Sequence, residues 1–379
     1  MKDIRSYIEE NKEELYRILF DLCAIPAPSH HEEKRAEYCK KWFEDIGACG
    51  VYIDEALNVV FPYNCDGAKD ITVIEAHTDT VFPDMEPMPY VDDGKIISCP
   101  GVGDDTACVA VMMLTAKYFI ENDIKTDKGI LFVANSCEEG LGNLKGTREI
   151  FKNYKGKINR LVTYDCHLEY IYDTCVGSHR YEVTVRTEGG HSFSRFGNNN
   201  AIHRLSEIIS KIYTIEVPRV GDSVTTYNVG IISGGTSVNT IAENASMLCE
   251  YRSTNAECLA VMKANFEKIF TDAVTDKISV DVKLVGERPC ADGLDEERQA
   301  NFRDGVASVI SSVINKPINF RCASTDCNIP LSLGVPAICI GVYAGGGAHT
   351  RAEWIERDSI IPGLEIGIKT TLNILENNY

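Results

Sequence analysis

The chain has 379 residues, 38 of them basic and 56 acidic, for a formal net charge of −18. So acidic a surface repels phosphate backbones, which excludes nucleic acid as a partner, and it attracts divalent cations. Apolar residues make up 44% and charged residues 25%, which excludes a disordered chain and fits a globular one of about two domains.

Helical periodicity runs over residues 3–22, with Ile4, Tyr7, Ile8, Leu15, Ile18 and Leu19 on one side, and again over 31–47. An apolar strand is predicted at Thr72–Ala76, a helix at Thr106–Asn122, strands at Gly129–Asn135 and Asn159–Tyr164, and a helix between them at Thr147–Asn153. Apolar strands alternating with helices indicate an α/β layer with a largely parallel sheet. From about 176 the pattern changes. Strand, helix, strand, strand, helix, strand are predicted at Arg180–Thr187, Asn200–Tyr213, Tyr227–Ile232, Met247–Ser253, Asn255–Val274 and Ile278–Val285. That βαββαβ order signals a ferredoxin-like unit. The α/β pattern then resumes with a helix at Asp295–Ile314, a strand at Ala337–Val342 and a closing helix at Ser359–Glu376. The domains are therefore read as a discontinuous α/β domain, 1–175 and 291–379, interrupted by an inserted domain, 176–290.

The longest apolar stretch, Val109 to Leu114, is far below the ~20 residues of a membrane span, so no membrane partner is expected. The first residues lack the apolar core of a secretory peptide. Fifteen cysteines at irregular spacings, with no CxxC, read as buried thiols of a reducing compartment rather than as a disulfide framework or a thiolate zinc site. Both observations predict a cytoplasmic protein.

The ionisable residues fall at predicted strand ends. His77 follows Thr72–Ala76, with Asp79 two residues on; Glu138 and Glu139 follow the strand Gly129–Asn135; Asp165 follows Asn159–Tyr164; His349 follows Ala337–Val342. Asp104 and Asp105 sit in the Gly-rich loop before the helix at 106. Open α/β sheets bind ligands beyond the carboxyl ends of their strands. Singly each piece has a structural explanation: Asp104-Asp105 suits a helix N-cap and Glu138-Glu139-Gly140 a solvated loop. Together they suit divalent metals, zinc above all, and so many carboxylates favour two ions over one.

At these residues the chain resembles the M20 family of co-catalytic zinc metallopeptidases, a family of aminopeptidases, carboxypeptidase-like enzymes and deacylases. The resemblance rests on Ala76-His77-Thr78-Asp79-Thr80-Val81, Gly101-Val102-Gly103-Asp104-Asp105, Glu138-Glu139-Gly140, Asp165, Gly189-Gly190-His191-Ser192 and Gly347-Ala348-His349. It implies a zinc-peptidase-like catalytic domain with the inserted domain as lid or dimerisation module, and hence a homodimer. By resemblance His77 and Asp165 bind one metal, Glu139 and His349 the other, and Asp104 bridges. Zinc is expected, with cobalt or manganese as substitutes. Asp79 would accept the second ring N–H of His77, and Glu138 would be the general base. From the inserted domain, His191 is implied as an oxyanion donor, and Asn239 and Arg252 as grips on substrate; on residue type alone His191 reads first as a hinge or loop histidine, and Arg252 suits a surface or interdomain ion pair equally. Thr106 and Cys108 depart from the family pattern, which often has Lys and Gly there. The expected activity is hydrolysis of short peptides, exo-acting and aminopeptidase-like. N-acyl amino acid deacylation, and metal-stabilised peptide or amino-acid binding without turnover, are the alternatives.

Overall fold

The computed structural model describes residues 2–377 and 379. The chain divides into two compact units, Met1–Cys175 with Asp292–Tyr379, and Val176–Ala291.

In the first unit eight strands form one mixed sheet, in the order Tyr52–Ile53, Val59–Tyr63, Gly129–Asn135, Ile71–His77, Ile158–His167, Ala337–Tyr343, Tyr170–Cys175, Asn319–Ala323. The four from Gly129–Asn135 to Ala337–Tyr343 run parallel to one another. Three of them, Ile71–His77, Gly129–Asn135 and Ala337–Tyr343, are buried along their whole length, as parallel strands covered on both faces must be. Strands Ile158–His167 and Tyr170–Cys175 adjoin in sequence, yet Ala337–Tyr343 lies between them, parallel to the first and antiparallel to the second. The helix Ala107–Glu121 is apolar on nearly every side and accordingly buried on nearly every side. It packs with helices Ile4–Cys23 and Ile360–Glu376 in one core that includes Leu15, Leu19, Met112, Phe119, Leu364 and Ile368. A small four-stranded sheet of Val91–Asp92, Ile96–Ser98, Trp354–Glu356 and Gly345–Gly346 completes the unit.

The second unit has four antiparallel strands in the order Thr225–Gly234, Asn244–Ser253, Gly177–Arg186, Ser279–Arg288. With helices Ala201–Ile212 and Ala256–Asp272 this is the ferredoxin-like βαββαβ arrangement. Strand Asn244–Ser253 turns Ala245, Met247, Cys249 and Tyr251 inward against Leu205, Ile208, Met262, Phe266 and Phe270 of the helices. Asn200 and Asn255 cap the two helices by accepting from Ile202 N and Cys258 N, contacts worth about 1 kcal/mol each.

Candidate active site

The four parallel strands of the first unit end at one edge of the sheet. His77 is the last residue of its strand, Glu138 and Glu139 follow Asn135, Asp165 lies near the end of Ile158–His167, and His349 follows Tyr343 by a short loop. Asp104 and Asp105 have non-helical backbone, φ −109° and −132°, in the segment Val102–Thr106 that leads into the helix Ala107–Glu121.

Asp104 stands at the centre of this group. Its Oδ1 is 3.0 Å from His77 Nε2 and its Oδ2 3.0 Å from His349 Nε2. His349 Nε2 is also 3.2 Å from Glu139 Oε1. His77, Asp104 and Glu139 each offer one ligand atom within a 4.8 Å cluster, and His77, Asp105 and Asp165 form a second such cluster. His77 is thus common to both. Asp105, which the sequence suits to helix capping, joins the second; its Oδ2 accepts from the His77 amide at 2.8 Å.

The fit to cations follows from donor chemistry and charge. Imidazole nitrogens with carboxylate oxygens are a borderline-to-hard set suited to zinc, cobalt or manganese. Among the described residues no lysine or arginine pairs with Asp104, Asp105, Glu139 or Asp165, and the two imidazoles are the cationic partners of Asp104 and Glu139. Burial, with the charges of Asp104 and Glu138 opposing the His349 contact, pushes Glu139 up to about 7. Burial and the charges of Asp104 and Asp105 push Asp165 well above the ordinary carboxylate range. Asp104 goes the other way: burial would raise it, but its contacts with His349 and His77 hold it below the usual range. The same contacts, to Asp104 and then Glu139, raise His349 to about 10. A divalent cation relieves the repulsion that otherwise holds protons on these carboxyls.

Buried carboxylates hold the backbone around the cluster. Asp79 Oδ1 accepts from the Glu138 amide at 2.9 Å, and its Oδ2 from the Glu139 amide at 3.0 Å and from Ser29 Oγ at 2.7 Å. His77 Nδ1 is nearest the main-chain oxygen of Asp79, at 3.0 Å, with the carboxylate at 3.4 Å. Asp79 therefore does more than face the ring: its carboxylate fixes the Glu138-Glu139 peptides. Thr106 Oγ1 accepts from the buried Arg35 Nη1 at 3.2 Å, and Cys108 is wholly buried, so both depart from the family pattern in packed positions. Asp326 is buried too, accepting from Thr147 Oγ1 at 2.6 Å and Asn135 Nδ2 at 2.7 Å.

Glu353 is the residue that sequence reasoning missed. Its carboxylate accepts from the amides of Gly101, Gly103 and Asp104 at 2.7, 2.8 and 2.8 Å. The one available signal was its spacing, four residues after His349.

In the second unit, His191 ends the short strand Gly190–His191, which pairs with Thr240–Ile241. The Ser192 amide donates to Asn239 O at 3.0 Å, so His191 and Asn239 share one tip, and both are exposed. His191 Nδ1 accepts from the Phe193 and Ser194 amides at 3.3 and 3.4 Å, which places the ring proton on Nε2. Phe193 and Phe196 on the same tip are 89% and 92% exposed. Arg252 lies elsewhere, at the far end of strand Asn244–Ser253, roughly 25 Å along at ~3.3 Å per residue. Its Nε and Nη2 donate to both oxygens of Glu250, at 2.9 and 3.2 Å.

A family model described as Peptidase family M20/M25/M40 matches residues 73–375, a span that holds every strand-end residue named above. The chain belongs to this family. It is a metal-dependent hydrolase of peptide-like amides. This M20 peptidase is 25% identical over 344 residues to a succinyl-diaminopimelate desuccinylase of Corynebacterium glutamicum, covering 88% of this chain and 89% of that one. Its fold matches that of aminopeptidase PepT from Bacillus cereus, with a TM-score of 0.73 at 19% identity over 96% of this chain and 98% of the other. It also matches the YXEP protein of Bacillus subtilis, described as a dinuclear metal binding peptidase, with a TM-score of 0.66 at 13% identity over 99% and 100% of the chains. No helix among the described residues is long and apolar enough to cross a membrane.

Proposed function

We propose that this M20 peptidase removes N-terminal residues from short peptides, using two divalent cations, zinc with cobalt or manganese as substitutes. The position of Asp104 carries the reading: each of its oxygens stands 3.0 Å from a different imidazole. His77 and Asp165 hold one cation, Glu139 and His349 the other, and Asp104 is shared. Cations bound there supply the positive charge that acidifies a water and polarises the amide carbonyl. Glu138 accepts the water's proton on its carboxylate and returns it to the leaving amine. Because Asp79 accepts from the amides of both Glu138 and Glu139, base and ligand keep a fixed spacing. His191 donates from Nε2 to the developing oxyanion, its Nδ1 being engaged by main-chain amides. Asn239 adds a polar contact from the same tip, and Arg252 exchanges Glu250 for a substrate carboxylate, which suits its planar fork.

Tip and Arg252 lie at opposite ends of one strand, so they serve one substrate most simply from two copies of the chain, dimerised through the inserted unit. Its edge strand Thr225–Gly234, with Ile231 and Ile232 exposed, suits such pairing. Fifteen cysteines without a disulfide suit the cytoplasm. A second reading, N-acyl amino acid deacylation, is favoured by the 25% identity to a desuccinylase. Metal-reconstituted protein assayed on free tripeptides, free dipeptides and N-acetyl amino acids, with products identified by mass, separates the two. Release of N-terminal residues, lost in Glu138→Gln, is the expected result; cleavage confined to acylated amino acids makes it a deacylase.

A further inference from the structure

Glu353 is 2% exposed and has no lysine or arginine partner among the described residues. A buried carboxylate in that position is costly unless its oxygens are satisfied, and three main-chain amides do so. Oε2 accepts from Gly101 N, and Oε1 from both Gly103 N and Asp104 N. The loop it grips has little freedom. Gly101 has φ +76°, and a Cβ on it would meet Thr80 Cγ2 at 2.7 Å. A Cβ on Gly103 would meet the Tyr343 ring, also at 2.7 Å. The loop is thus pressed on Tyr343 and tied to Glu353, and its last tied amide belongs to Asp104.

The ligand clusters differ in how much independent support they have. His77 is fixed by its own strand and by Asp105 at its amide, and Asp165 lies within a strand. His349 has a side chain 59% exposed, and the contacts of its ring are to Asp104 and Glu139. Glu353 lies on the segment that follows His349, its amide donating to Thr350 O at 3.3 Å. One carboxylate therefore ties the loop of Asp104 to the segment of His349.

We infer that Glu353 is a positioning residue that sets the affinity of the second cation, the one on Asp104, Glu139 and His349, by fixing Asp104 through three main-chain amides. This rests on the two-cation reading above. Glu353→Gln keeps the shape of the side chain but turns one acceptor oxygen into an NH₂ group facing N–H donors. The test is titration of metal-free wild type and Glu353→Gln with Co²⁺, followed by calorimetry and visible absorption. The expected result is a second binding step weakened about 10–100-fold, the usual cost of losing a contact behind a ligand, and a first step, for which His77 and Asp165 supply the other ligands, weakened by less. Unchanged affinity in both steps, or equal weakening of both, overturns the inference. A wild type that binds fewer than two cations overturns the two-cation reading and this inference with it, which tells the two failures apart. Amide exchange in metal-free wild type supplies a readout that needs no variant and decides the matter should Glu353→Gln not fold. Slow exchange at Gly101, Gly103 and Asp104 supports the inference, and exchange as fast as at exposed amides overturns it.

Discussion

The strand-end cluster of the first unit and the tip of the second carry similar residue types in opposite surroundings. His77 is buried, its ring and amide held by Asp104, Asp79 and Asp105. His191 is exposed, held at one ring nitrogen by amides two and three residues along the chain. The first arrangement adds to the local Asp79 two carboxylates distant in sequence, Asp104 and Asp105, which hold the charge cluster in place. The second is local and leaves a donor facing outward. Preorganisation goes with the groups packed around charge, and accessibility with the exposed imidazole.

That contrast can be broken or sharpened in order of expected effect. Chelation should abolish hydrolysis, and added Zn²⁺ or Co²⁺ should restore it, as read by turnover alongside metal analysis. Glu138→Gln should lower kcat by about 10²–10⁴-fold while two cations per chain remain bound. His191→Ala should lower kcat by about 10²–10³-fold with an unchanged melting temperature, since the side chain is exposed and makes local contacts. Asp79→Asn should act on affinity and stability together: metal affinity falls about 10–100-fold, and the chain loses about 1.5–3 kcal/mol of stability for each charge-assisted bond removed. A destabilised His191→Ala, or an Asp79→Asn of native melting temperature, would break the contrast. Arg252→Ala is the mildest, with a few-fold rise in KM and under about 1 kcal/mol of stability lost, because its pair with Glu250 is partly exposed.

Much of this was legible before the structure. Apolar runs marked Ile71–His77, Gly129–Asn135 and Ala337–Tyr343, and an imidazole or carboxylate just beyond each run marked the cluster. Strands with weaker apolar signals escaped. Asn319–Ala323 is an edge strand with Asn, Phe, Arg and Cys exposed, so no buried face shapes its sequence. Val59–Tyr63 contains Pro62, which argues against a strand; its neighbour Tyr52–Ile53 pairs with Val59 and Val60 and leaves Pro62 on a free edge, where a missing N–H costs nothing. Asp79 and Glu353 were unreadable in their full roles because each acts on amides far along the chain. Periodicity and motif spacing are local; such carboxylate-to-amide ties exist only once the loops have met.

The seating of Ala337–Tyr343 between two strands that are neighbours in sequence has a consequence for how the chain is made. During synthesis, Ile158–His167 and Tyr170–Cys175 emerge together, yet neither has its partner across the seam. The whole inserted unit must be translated first, which at ~5–20 residues per second delays closure by on the order of ten seconds or more. The same late segment brings His349 and Glu353. A nascent chain therefore carries His77, Asp104, Glu139 and Asp165 beside an open sheet edge, and His349 and Glu353 join them only after Ala337–Tyr343 has been made.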